Sequence, residues 1–272
     1  MKIISTNAYR TKRKEGKTFV KEDSSVLMLS GGVDSVAVLK KLLEETDKKV
    51  YAHHIHMKND EGINNIERYK VEAKALRKIV PHMKRTFRDF HYTESTIDSR
   101  QIMQVFPTYY NNEEESKFRY IPDQTYYYLM AGILAKGTDS ANVYIGTCIK
   151  DYCIEDYVYT DRELQQRQQG MSKIVEGAAY PFITNIQRPF DTVTKKKSIE
   201  YLGKELMDMV WYCRDPIEKN GSLLSCNTNL GIYKRGIDLE TGEIFKCRSC
   251  RVVSDALIEI EEEETQRGIK YA

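Results

Sequence analysis

The stretch Leu27-Met28-Leu29-Ser30-Gly31-Gly32-Val33-Asp34-Ser35, LMLSGGVDS, decides the fold. A short apolar run with β-branched content, Ser25 to Leu29, stops abruptly in two hydroxyls, two glycines and a carboxylate. Val36, Ala37, Val38, Leu39, Leu42 and Leu43 follow at helical spacing, so the order is strand, tight turn, helix. In open parallel sheets, ligands gather where strands end at their carboxyl edge and the next helices begin. Glycines there let the backbone approach a phosphate, and the first amides of the helix, at the positive end of its dipole, favour the anion. Ser30 and Ser35 add hydroxyl donors, while Asp34 can orient the loop or hold the Mg²⁺ that accompanies a nucleotide. Leu29 to Ser35 therefore suits a pyrophosphate. It is not a Walker loop, because no Gly-Lys-Ser/Thr follows, and it lacks G-x-G-x-x-G spacing. The plain alternative is a Gly-Gly turn with an Asp cap.

Working outward, Lys49 to His56 reads as the next strand. Ile63, Ile66, Ala73, Leu76, Ile79 and Val80 then mark one face of a helix expected to stop at Pro81. Beyond a polar, tyrosine-rich segment, Thr125 to Lys136 reads as an apolar helix closed by Gly137, and Val143 to Gly146 as a buried strand. Thr194 to Met207 is a helix with Ile199, Leu202 and Leu206 inward. Alternating strands and helices imply an α/β fold with a doubly wound parallel sheet. Residues 211–272 change character: cysteines, a hairpin turning near Thr241-Gly242, and an acidic end, Glu261 to Glu264, read as a solvated helix face or a frayed tail. The expected organisation is a nucleotide-binding α/β domain over 1–210 and a small cysteine-bearing subdomain over 211–272. His54 and His56 fall on one face of their strand and His53 on the other, so they form no helical metal pair, although His56 lies where it could approach an adenine.

The chain of 272 residues is 41% hydrophobic and 30% charged, enough for one ordinary core with a small appendage. No apolar run approaches the roughly 20 residues of a membrane span, and the start lacks the apolar centre of a secretory signal, so the expected location is cytoplasmic, away from a membrane. A net charge of +2 is too small to require nucleic acid, and the basic runs Arg10 to Lys14 and Lys195 to Lys197 read as solvated surface. Six cysteines in such a chain argue for metal or catalysis before disulfides. Cys247-x-x-Cys250 has the reach to hold one tetrahedral Zn²⁺, with Cys213 and Cys226 upstream to complete a four-thiolate site. Four thiolates leave no open position, so this Zn²⁺ would be structural; the competing reading is a redox or sulfur-carrying Cys-x-x-Cys.

SGGVDS after an apolar strand resembles the signature of the PP-loop ATP pyrophosphatases, which implies an adenine nucleotide alpha hydrolase-like, Rossmann-like sheet and cleavage of ATP between its α and β phosphates. Three further stretches resemble the 7-cyano-7-deazaguanine synthases within that superfamily: VYIGTCIKDY (Val143 to Tyr152), the segment Arg188 to Cys213 with Pro189, Lys196, Ile199, Leu202, Gly203, Trp211 and Cys213, and FKCRSCRV with Cys247 and Cys250. The resemblance implies an ATP-dependent ligase. It would adenylate the carboxylate of 7-carboxy-7-deazaguanine, or a related deazapurine, and convert it with ammonia through the amide to the nitrile (preQ0), a step of queuosine biosynthesis. It further implies catalytic roles for Asp34, Ser35, Lys196 and Asp151, nucleotide contacts at Leu29 to Ser35, His56 and Gly146, and base contacts at Tyr152, Tyr159, Asp161 and Arg162. The assembly it allows is a homodimer.

The chain also departs from that family. Ile244 stands where the first of three clustered zinc cysteines falls, so Cys226 must substitute, and Ile121 to Thr125 lacks the arginine of the family's Pro-Gly-Arg-Asn-Thr. The base-binding loop, Cys153 to Glu163, is altered as well. These departures suit a divergent, phage-like member. Two other readings stay open: a tRNA-thiolating PP-loop enzyme that uses Cys247 or Cys250, and a nucleotide-binding module without turnover.

Overall fold

A computed structural model describes residues 22–58, 68–99, 122–147, 161–182, 184–191, 193–213, 217–219, 222–224, 233–234, 237–238 and 248–266. Its centre is a five-stranded, all-parallel sheet in the order β3-β2-β1-β4-β5. The strands are β1 (Glu22–Met28), β2 (Lys49–Lys58), β3 (His91–Asp98), β4 (Ser140–Ile145) and β5 (Asn185–Gln187). Helices α1 (Val33–Glu45), α2 (Arg68–Thr86), α3 (Pro122–Gly137) and α4 (Asp161–Ala179) alternate with them, and α5 (Lys195–Leu202) and α6 (Lys204–Met207) follow. This is the helix-flanked parallel sheet expected from the strand-helix alternation.

Alternation along β1 divides the core in two, because successive side chains leave a strand on opposite faces. Leu27 and Leu29 pack with α1, α2 and α5, whereas Val26 and Met28 pack with α3 and α4. Each fully buried aliphatic side chain contributes about 1.5–3 kcal/mol. The central strands β1 and β2 are buried on both faces, whereas the edge strands β3 and β5 leave their side chains largely exposed.

Two expectations require correction. Helix α2 does not stop at Pro81 but continues through it to Thr86. Proline removes one amide donor from a helix; here its ring faces solvent, and His82 and Met83 beyond it are buried, so packing holds the last turns in place. The hairpin turn expected near Thr241-Gly242 lies outside the described residues; among those described, β8 (Tyr233–Lys234) pairs antiparallel with β9 (Ile237–Asp238). A second short hairpin joins β6 (Ile217–Lys219) and β7 (Ser222–Leu224). The predicted Thr194–Met207 helix is two helices, broken at Gly203, whose φ of 77° suits glycine alone.

The last helix, α7 (Arg248–Gln266), contains the acidic Glu261–Glu264 run and packs against α5, sending Val253 and Ala256 into the α1–α2–α5 core. Among the described residues no helix is long and apolar enough to cross a membrane.

Candidate functional site: a glycine cradle at the carboxyl edge

The loop between β1 and α1 is built by its own hydroxyls. Ser35 Oγ, buried, accepts from the Ser30 amide at 3.2 Å and donates to the Gly32 carbonyl at 3.1 Å. Ser30 Oγ pairs with Ser35 Oγ at 3.0 Å and accepts from the Gly32 amide at 3.3 Å. Ser35 thus stiffens the loop from within. Gly31 has φ 80°, and a Cβ there would lie 3.1 Å from Leu76 Cγ and 3.4 Å from the Glu72 carbonyl of α2. Both its backbone shape and its close neighbours therefore require glycine. No side chain caps α1 at Gly32, so no capping oxygen competes with an anion for the helix's first amides. A phosphate chain fits such a site.

Charge reaches the cradle through Asp34, in the first turn of α1. Both of its carboxylate oxygens accept from Lys195 Nζ at 2.7 Å, and both side chains are largely buried. Thr194 caps α5 by accepting from the Lys197 amide, which puts Lys195 at the first helical position, beside the loop. The sequence-based candidate, Lys196, points elsewhere and pairs with Glu263 of α7. Lys195 is therefore the lysine that the fold brings to Asp34.

The end of β4 meets the cradle directly. A Cβ on Gly146 would lie 2.6 Å from both Cα and N of Ser35, so the strand abuts the first turn of α1 with no side chain between them. Thr147, next along, donates to Asp191 Oδ1 at 2.6 Å, and Gln168 of α4 donates to Oδ2 at 3.0 Å. Burial pushes the Asp191 carboxyl above its usual range, outweighing the Thr147 bond and the Arg188 charge. Asp191 lies in the segment Arg188 to Cys213 but is not among the residues that carry its resemblance, so the sequence does not single it out.

On the other side of the cradle, β2 carries the histidines, divided as the alternation predicts. His53 bonds to Thr93 and Ser95 of β3 at 2.8 and 2.9 Å. Burial, with the neighbouring His54, lowers its pKa to about 4. His54 is fully buried and donates from Nδ1 to the Leu29 carbonyl at 3.0 Å, fixing the residue that leads into the loop. Burial lowers its pKa too, so the ring is neutral. His56 meets Glu94 at 2.9 Å and stands edge-on to His54, with ring centres 4.7 Å apart. Tyr92 donates to the other Glu94 oxygen at 2.7 Å; although burial pushes the Glu94 carboxyl up, the Tyr92 and His56 bonds outweigh it and hold the group below its usual range.

Of the four candidate metal cysteines, Cys213 and Cys250 are both buried and pack together beneath Trp211 and Tyr212. Cys226 and Cys247 lie outside the described residues, as do Asp151, Tyr152 and Tyr159. Asp161 and Arg162 fall in the first turn of α4. Among the described residues no group of three or more metal-binding side chains converges.

A parallel sheet with a glycine and serine cradle at the carboxyl end of its first strand, fed by a lysine–aspartate pair, defines a phosphate-binding α/β protein. A family model described as queuosine biosynthesis protein QueC matches residues 24–261, and the chain belongs to that family. The 7-cyano-7-deazaguanine synthases of two Leptospira interrogans strains are each 26% identical over 241 residues, covering 83% of this chain and 90% of theirs. The chain is accordingly an enzyme similar to these synthases. Among solved structures, the U34-tRNA thiolase NcsA of Methanococcus maripaludis aligns at 15% identity and TM-score 0.42, over 93% of this chain and 80% of its own. The NH3-dependent NAD synthetase of Campylobacter jejuni aligns at 13% identity and TM-score 0.36, over 74% and 70%. Family membership rests on the sequence match.

Proposed function

We propose that the chain is an ATP-dependent ligase that converts 7-carboxy-7-deazaguanine, or a closely related deazapurine acid, into its nitrile. The observation that carries this reading is the cradle Ser30–Ser35 with Lys195 held at its mouth by Asp34, in a chain of the QueC family. A carboxylate is a poor electrophile because its leaving group would be oxide. Its oxygen therefore first attacks the α-phosphorus of ATP, forming the acyl adenylate and expelling pyrophosphate. Ammonia then adds to the activated carbon, loses a proton and displaces AMP to give the amide. The amide oxygen attacks the α-phosphorus of another ATP and expels a second pyrophosphate, and departure of AMP with loss of both N–H protons leaves the nitrile.

In this scheme the amides of Val33 to Ser35 and the Ser30 hydroxyl hold the phosphate chain, and the Lys195 ammonium stabilises the pyrophosphate charge as it develops. Mg²⁺, for which Asp34 is the nearby carboxylate, supplies further charge neutralisation when bound. Holding the two reactants at attack distance accounts for several kcal/mol, roughly 7–11 at best. Asp151, Tyr152, Tyr159, Asp161 and Arg162 are the proposed acceptor side, and His56 the nucleobase side. Residues 211–272 form the proposed zinc subdomain, with Cys213 and Cys250 as two of its four thiolates alongside Cys226 and Cys247; their burial as neighbours suits a structural metal. The same burial argues against Cys250 as an exposed sulfur carrier.

The test is incubation of the protein with ATP, Mg²⁺, ammonia and 7-carboxy-7-deazaguanine, following AMP, pyrophosphate and product mass. A nitrile formed with pyrophosphate supports the reading. Pyrophosphate release that instead requires tRNA and a sulfur donor overturns it.

A further inference from the structure

Trp211 lies against two places at once. Its backbone N–H donates to the Gly31 carbonyl at 2.9 Å, and its own carbonyl comes within 3.4 Å of where a Cβ on Gly32 would stand. Its indole Nε1 donates to the Cys213 carbonyl at 2.8 Å, and its ring packs both on the buried Cys213 and Cys250 and on the α1–α2–α5 core. The chain has a single tryptophan.

The bond to Gly31 has a geometric consequence. A trans peptide points its C=O and N–H in opposite directions. Pinning the Gly31 carbonyl outward onto Trp211 therefore turns the Gly32 N–H the other way, toward Ser30 Oγ inside the loop, where it is found at 3.3 Å. That amide holds the Ser30 hydroxyl, one of the donors a phosphate would meet. The indole bond to Cys213 in turn fixes where the Trp211 backbone sits. A chain of two hydrogen bonds thus runs from the cysteine pair to the Gly31–Gly32 peptide of the cradle, through a residue that bears no reacting group.

We infer that Trp211 is a positioning residue for the nucleotide: it aims the Gly32 amide and ties that aim to the packing of Cys213 and Cys250. The inference rests on the reading of the cradle as an ATP site. Trp211→Phe keeps an aromatic ring on the cysteines while removing the indole donor and part of the ring packed on the core. Calorimetric titration with MgATP should show Kd raised about fivefold, the worth of one ordinary hydrogen bond. The KM for ATP should rise in step while the KM for the acceptor stays near wild type. In the unmodified protein, MgATP should shift the emission of Trp211 in a saturable way.

An unchanged ATP Kd in the variant, or equal weakening of ATP and acceptor, overturns the role of Trp211 and leaves the function standing. Flat tryptophan emission during a titration that calorimetry shows to bind does the same. No MgATP binding by the unmodified protein overturns both.

Discussion

The cradle after β1 and the histidine rim on β2 lie side by side on one sheet, yet they are made differently. The cradle is backbone, serine hydroxyls and one formal ion pair, Lys195 with Asp34. The rim is side chains, His53, His54 and His56, of which the first two are kept neutral by burial. Peptide donors do not titrate, whereas a buried imidazole holds its neutrality only while acid is scarce. The phosphate side should therefore fail through mutation of a charge or a contact, and the rim through pH.

Removing the charge tests that contrast hardest. Lys195→Met should lower the rate of AMP formation about 10²- to 10³-fold, the range seen when a preorganised charge-stabilising group is lost. A variant that retains near-wild-type turnover would show that the charge at the cradle is not used.

Acid comes next. His53 titrates near 6.5 when unfolded and at about 4 when folded, so folding favours its neutral form. Its contribution is fully present above pH 6.5 and is lost as pH falls toward 4, about 3 kcal/mol in all for this one buried ring. Urea unfolding at stepped pH should show this slope, and His53→Gln should flatten it. An equal slope in both proteins would assign the acid sensitivity to other groups.

Contact without charge ranks third. Gly146→Ala would place a methyl 2.6 Å from the Ser35 backbone. It should cost about 1–3 kcal/mol in thermal unfolding, as overpacking does, with weaker ATP binding because the first turn of α1 must shift. Unaltered melting and affinity would mean the strand can slide aside.

The smallest effect belongs to the neighbouring lysine. Lys196→Met removes a partner of Glu263 at the edge of α7, and turnover should stay within about twofold of wild type. A loss as large as that of Lys195→Met would transfer the catalytic charge to Lys196.

Those two lysines also mark how far the sequence could be read. The glycine stretch, the apolar strands β1, β2 and β4 and the α1 pattern were all legible, because continuous apolar runs and helical spacing are local signals. Lysine choice was not: the match counted from Ile199 selected Lys196, but adjacent helical residues point about 100° apart, and the Thr194 cap sets which one faces the loop. Strand β3, HYTESTID, hid because an edge strand with exposed faces carries no apolar alternation. The run of α2 through Pro81 was masked by the usual helix-breaking rule, overridden by burial of His82 and Met83. His54 as the support of Leu29, and Asp191 as the bridge between Thr147 and Gln168, depend on contacts between distant elements, for which a single sequence has no local mark.

The bare approach of Gly146 to Ser35 has a last consequence for how such a protein can diversify. It works as a fixed seam: position 146 admits no side chain, so the nucleotide half is insulated from drift on the segment that follows. If the segment after it carries the acceptor side, as proposed, substitutions there leave the contact of Gly146 with Ser35, and with it the first turn of α1, in place.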